Sequence, residues 1–190
     1  MKSRDEILKM KATVLYIIEK CGGSLDYVKL NKLLYFAQQL HLVKYGRGIF
    51  NDTFKARNLG PVPSFIYKAI KDKEDGVRGD LNIENFNSGL TVSNGKPQLI
   101  TSCEIPDMDE FSISDIRCLD EILEKYKDQP SERLTEISHE DGAWIEADKM
   151  RRLDPEKDIM SRIDIAKSGG ASEEMLEYIH YEMQLDEELS

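Results

Sequence analysis

The sequence predicts a mainly α protein: a compact helical domain with a small antiparallel β-hairpin and a helical C-terminal extension. Three observations carry this. Apolar residues recur at spacings of three and four over residues 4–20, 25–44 and 112–128. Glycine or proline closes each of these runs. Only one stretch, around Asn94-Gly95, has the turn chemistry of a hairpin between short apolar runs.

The first run places Ile7, Leu8, Ala12, Leu15 and Ile18 on one helical face, with Asp5 and Glu6 in the first turn and Gly22-Gly23 as the stop. Ser24 reads as the N-cap of the second helix, which runs to about Lys44. That helix is apolar around most of its circumference, as a central buried helix is. Its polar remainder is a narrow seam of Asn31, Lys32, Gln38 and Gln39, with Tyr35 beside them.

Residues 46–57 lose the helical period and read as a loop with a short extended piece. In NLGPVPSF (58–65), two prolines would each remove a ladder donor from a strand. The stretch is a ligand-cradling loop or a rigid joint, and the joint is the simpler reading. Gly60 supplies an unusual backbone angle, the prolines fix φ, and Ser64 can cap the short helix that follows. Residues 71–89 are polar and Gly-rich, a surface connection. The hairpin is expected at 89–102. The helix at 112–128 carries Ile113, Ile116, Leu119, Ile122, Leu123 and Tyr126 on its buried stripe, and Pro130 ends it. A short helix capped by Ser131 follows, then a helical piece with the single tryptophan, Trp144. Residues 1–150 are read as one domain. Residues 151–190 are read as a charged joint plus a helical extension, with Gly169-Gly170 as a turn and Ser172 as a cap.

Composition excludes several functions. Asp and Glu number 36 against 26 Lys and Arg, a net charge of −10. Nucleic-acid affinity comes largely from Lys and Arg on phosphate, so this balance disfavours a nucleic-acid partner and fits a basic one. No apolar run approaches the roughly 18–20 residues that span a bilayer. MKSRDEILKM carries no signal pattern, so the expected location is the cytoplasm. Cys21, Cys103 and Cys118 are isolated and expected to be small buried thiols.

No motif assembles catalytic chemistry, a metal site or a cofactor site. His139-Glu140 begins like H-E-x-x-H, but Ala143 stands where the second histidine must be. Ser138-x-x-Asp141 reads as a helix cap rather than part of a triad. GRGIFN (46–51) follows a helix and lacks the third glycine of a dinucleotide loop. DIAKSGGASEEML is laid out like a helix–turn–helix, but Glu173-Glu174 at the head of its second helix repels phosphate.

Four blocks form a larger pattern. They are Lys29, Leu30, Lys32, Leu33, Leu34 and Tyr35; Tyr45, Gly46 and Phe50; Ala56, Gly60, Pro61 and Val62; and His139 with Trp144. In this order the chain resembles the SocA-like Panacea domain family, over roughly residues 5–150. The resemblance implies a helical domain with a small β element, an antitoxin or phage-associated role, and binding rather than turnover. The implied partner is a cognate toxin encoded next door. It also admits an adaptor that hands the toxin to a protease. It marks Lys32, Tyr35, Gln39, Gly60, Pro61, His139 and Trp144 as family-motif and candidate partner-binding residues. Gly60, Pro61 and Trp144 read as structural. Lys32, Tyr35 and Gln39 fit an internal polar network or a partner groove, and the residues leave that choice open. The alternatives are a DNA-binding regulator using the C-terminal helices, or an enzyme using the Lys32/Tyr35/Gln39 seam.

Overall fold

Short polar side chains at the helix starts hold the first free N–H groups, and these caps set the order of elements. The computed structural model describes residues 2–188. Helix α1 (Arg4–Lys20) opens on a reciprocal capping box between Ser3 and Glu6. Strand β1 (Ser24–Asp26) follows, then helix α2 (Tyr27–Tyr45). Asp26, not Ser24, caps α2, its carboxylate accepting from Lys29 N at 2.9 Å. Ser24 is instead spent on β1.

The expected extended piece is strand β2 (Phe54–Arg57), and GPVP itself is strand β3 (Gly60–Pro63). The reading of GPVP as a non-strand joint is overturned. The register pairs Arg57 with Gly60, Ala56 with Pro61 and Phe54 with Pro63. Pro61 and Pro63 are two apart, so their missing donors lie on one side of the strand. The sheet runs β3-β2-β6, which leaves that side of β3 as an edge. Helix α3 (Ser64–Glu74) is capped not by Ser64 but by Asp52 across the turn. Its carboxylate accepts from Phe65 N at 3.0 Å and Ile66 N at 3.1 Å.

The expected surface connection at 71–89 contains helix α4 (Leu81–Asn87), capped by Asp80 and anchored by buried Ile83 and Phe86. The hairpin stands where expected, as β4 (Leu90–Val92) and β5 (Leu99–Ser102), with β1 added on the far side of β5. Helix α5 (Ile113–Tyr126) buries Leu119, Ile122 and Leu123, whereas Ile113 is 73% exposed in the first turn. Helix α6 (Ser131–His139) begins after Pro130, and Ser131 does not cap it: its hydroxyl donates to Asp26 instead. Helix α7 (Gly142–Leu153) is capped by Asp141.

Strand β6 (Ile159–Met160) pairs with β2, helix α8 (Arg162–Ser168) packs on α2, and helix α9 (Glu173–Glu188) packs on α8. Ser172 caps α9 through Met175 N. The Met175/Ile179/Met183 face of α9 lies against the protein's own core, with Ile179 1% exposed. The described residues thus form nine α-helices and two three-stranded antiparallel sheets, a mainly α fold with small β elements. At its centre lies α2, flanked by α1, α5, α6, α8 and β3. Of the cysteines, Cys118 is buried, Cys21 half-buried and Cys103 exposed, so the expectation of three buried thiols holds for one. No helix among the described residues is long and apolar enough to cross a membrane.

Candidate functional site

Lys32, Tyr35 and Gln39 follow one another along α2 at spacings of three and four, and so share a face. That face meets the α6–α7 junction and the β2–β3 turn, and all seven motif residues converge there. Tyr35 Oη donates to Asp141 Oδ1 at 2.9 Å. Gln39 Nε2 donates to Asp141 Oδ2 at 2.7 Å and to the Ile165 carbonyl at 3.2 Å. Asp141 Oδ1 also accepts from Ala143 N at 2.9 Å and Trp144 N at 3.3 Å, as the N-cap of α7. One carboxylate therefore ends a helix and clamps it to the central helix. Burial, together with the Asp141 charge and hydrogen bond, holds the Tyr35 phenol well above its ordinary range, so it stays a donor.

Trp144 lies in the first turn of α7. Its indole Nε1 donates to the Arg57 carbonyl at 3.1 Å, and its ring stacks on His139 with centroids 4.1 Å apart and planes 11° apart. Burial lowers the His139 pKa, and the positive charge of Lys32 lowers it further, while Asp148 and a backbone hydrogen bond at Asn58 act the other way. Gly60 opens β3 with φ +104°, and a Cβ there would fall on Lys32 Nζ and Ser138 Oγ. Glycine is required twice, by the dihedral and by the space. Pro61, paired with Ala56, is buried beside it.

Lys32 itself is 1% exposed. Among the described residues no side chain or carbonyl hydrogen-bonds or ion-pairs with its ammonium, and burial alone pushes its pKa down to about 7. Its end reaches a cavity of about 490 Å³ between α2, the β2–β3 turn, α3 and α7.

The chemistry of this arrangement is cohesive. The Ser138 hydroxyl donates to the Thr135 carbonyl at 2.9 Å and is not presented to His139. Among the described residues no group of three or more His, Cys, Asp or Glu could hold a metal ion. The expected Ser138-x-x-Asp141 cap is made by Asp141 alone, since Ser138 lies within α6; that Asp141 is also the hub of the site had no local signal. The cations around the cavity, Arg57, Lys71 and Arg151, had no signal, because they come from three separate elements.

Fold and site together define a helical scaffold whose motif residues join the central helix to a β-turn and a capped helix. A family model, that of the antitoxin SocA-like Panacea domain, matches residues 30–145. With well over half of its 190 residues matched, the chain belongs to that family. Nothing matches it among curated proteins or among solved structures.

Proposed function

We propose that this chain is an antitoxin that neutralises a cognate toxin by direct, stoichiometric contact. Membership of the antitoxin family carries the reading. The polar atoms of Tyr35 and Gln39 are engaged with Asp141, so in this reading the motif residues form the platform beneath the contact surface. Trp144, His139, Gly60 and Pro61 set the positions of α7 and the β2–β3 turn, and Lys32 lies below the turn.

The surface above that platform is apolar in places. Ile145, 44% exposed, and Leu153, 77% exposed, line one shallow depression on α7 with the edge of Trp144. Leu59, at the tip of the neighbouring turn, is 57% exposed. Aliphatic anchors of this kind, rimmed by charge, suit a specific interface. The net charge of −10 favours a basic toxin. The same contact would serve an adaptor that presents the toxin to a protease.

Co-expression with the product of the adjacent gene tests the proposal. Growth should be rescued, and the two proteins should co-purify in a fixed ratio. Ile145→Asp with Leu153→Asp should abolish co-purification while leaving the melting temperature nearly unchanged. Rescue at small molar ratios with no detectable complex would overturn binding and favour an enzyme. Tight, salt-sensitive binding to random duplex DNA would favour a regulator.

A further inference from the structure

The cavity at Lys32 has an electrostatic character opposite to that of the whole chain. Of the residues around it, Lys32, Arg57, Lys71 and Arg151 are cationic, and none is Asp or Glu, in a chain with 36 acidic residues. The counter-charges outside the cavity do not cover these cations. Asp158 is shared between Arg57 at 2.8 Å and Lys55 at 3.1 Å. Asp148 is shared between Arg151 at 2.5 Å and Arg152 at 2.7 Å. Only Lys71 has two carboxylates, Glu74 and Asp75. Among the described residues Lys32 has none, although it is almost wholly buried. An ammonium taken out of water without a partner is costly, and a ligand that supplies the missing charge recovers that cost on binding.

The remaining walls are suited to a flat body. The rings of Tyr27 and Tyr67 lie 5.5 Å apart at the cavity, and Leu59 and Val62 contribute apolar surface. The Asn31 side-chain oxygen, beside the cavity, is buried and among the described residues has no hydrogen-bond partner. A volume of about 490 Å³ lies within the range of small-molecule sites.

We propose that this cavity binds a small phosphate monoester with a flat aromatic body, its phosphate on the Lys32 ammonium and the Arg57 and Arg151 guanidiniums, its ring against Tyr27 and Tyr67. A dianion matches the surplus of positive charge better than a carboxylate does. Arg forks and a Lys point charge are the usual means of holding phosphate. Because Arg57 and Gly60 belong to the turn that carries Leu59, occupancy of this site would stiffen that turn. The site does not depend on the toxin reading, and its test needs no toxin.

The test is titration calorimetry of the purified full chain in a phosphate-free buffer, with phenyl phosphate as probe. Inorganic phosphate, benzoate and benzyl alcohol are the comparison arms. Phenyl phosphate should bind one to one, more tightly than inorganic phosphate or benzoate, and benzyl alcohol should not bind. Lys32→Met should weaken binding by at least about tenfold, the worth of one charge-assisted hydrogen bond. Arg151→Gln, at the rim, should weaken it as well and guards against a folding artefact in the first variant. Amide shifts on titration should cluster at residues 27–32 and 57–62. No heat and no shift at millimolar phenyl phosphate would overturn the proposal, as would unchanged affinity in Lys32→Met. Tighter binding of benzoate would overturn the phosphate assignment.

Discussion

Lys32 is a residue that the fold tolerates at a cost. Its pKa falls from 10.5 to about 7, because the charged form is desolvated and no described residue pairs with it. One pKa unit is about 1.4 kcal/mol, so the shift corresponds to on the order of 4–5 kcal/mol lost below pH 7. Between about pH 7 and 10.5 the unfolded chain keeps that proton and the native protein has released it, so this loss is relieved as pH rises. The charged or titratable groups facing it are His139, Arg57, Lys71 and Arg151, with Tyr27 and Tyr67 across the cavity. Lys32→Met should therefore raise stability at pH 6.5 in phosphate-free buffer, by several kcal/mol, and its advantage should shrink by pH 9. Urea denaturation of both proteins at the two pH values measures this, and an advantage that is pH-independent or absent would refute it. Gly60 and Trp144 act in the opposite direction. Gly60→Ala places a side chain at positive φ, about 1–2 kcal/mol, and also displaces Lys32 or Ser138. Trp144→Ala removes a buried ring stacked on His139, about 3–5 kcal/mol. Thermal melts should fall for both variants, and an unchanged melt with lost neutralisation would place these residues in the contact instead.

At the scale of elements, α7 depends on one carboxylate. Asp141→Ala removes the cap, worth about 1 kcal/mol. It also leaves the Tyr35 hydroxyl without its acceptor, at about 1–3 kcal/mol, while Gln39 Nε2 keeps the Ile165 carbonyl at 3.2 Å and Tyr35 Oη at 3.4 Å. A loss of about 2–4 kcal/mol is expected, read by urea denaturation, and Asp141→Asn should lose less because it keeps an acceptor for the α7 N–H groups. In the sequence Asp141 shows only as part of a cap, and its partners on α2 do not show. Long periodic runs closed by glycine, as in α1 and α2, are readable because burial follows a 3.6-residue period over several turns. Helix α4 was not, since only Ile83 and Phe86 anchor it within seven residues. Strand β1 is three residues long, and its Ser24 and Asp26 both resemble caps. Strand β3 was hidden by Pro61 and Pro63, whose effect depends on which side of the strand is paired, and that is a property of the sheet rather than of the segment. The candidate site was half readable for the same reason. The α2 seam has a local period, whereas the carboxylate that holds its Tyr35 and Gln39 lies more than a hundred residues away.

At the scale of the whole molecule, the question is how much of the fold the last forty residues carry. Asp158 is 1% exposed and ion-pairs with both Lys55 and Arg57 on β2, and its carbonyl accepts from Ala56 N at 2.7 Å. Met160 extends the β2 sheet from its second edge, which β3 does not cover. Ile165 and Ala166 cover α2, and the Ile165 carbonyl accepts from Gln39. Ile179 closes the same layer from α9. Deleting residues 151–190 would strip Met160, Ile165 and Ile179 from the core, at about 2 kcal/mol for each large side chain. The sum, about 6 kcal/mol, corresponds to about 12–24 °C for a chain of this size. We therefore expect the 1–150 fragment to melt at least about 10 °C below the full chain, or to be recovered only as aggregate. Differential scanning calorimetry of the two proteins decides it. A fragment that is monomeric, melts like the full chain and still co-purifies with the toxin would show that residues 1–150 form a self-sufficient domain and that 151–190 is an appendage. A fragment that fails to melt cooperatively, yet is rescued when 151–190 is supplied as a separate peptide, would show instead that the C-terminal segment completes the domain through β6, α8 and α9.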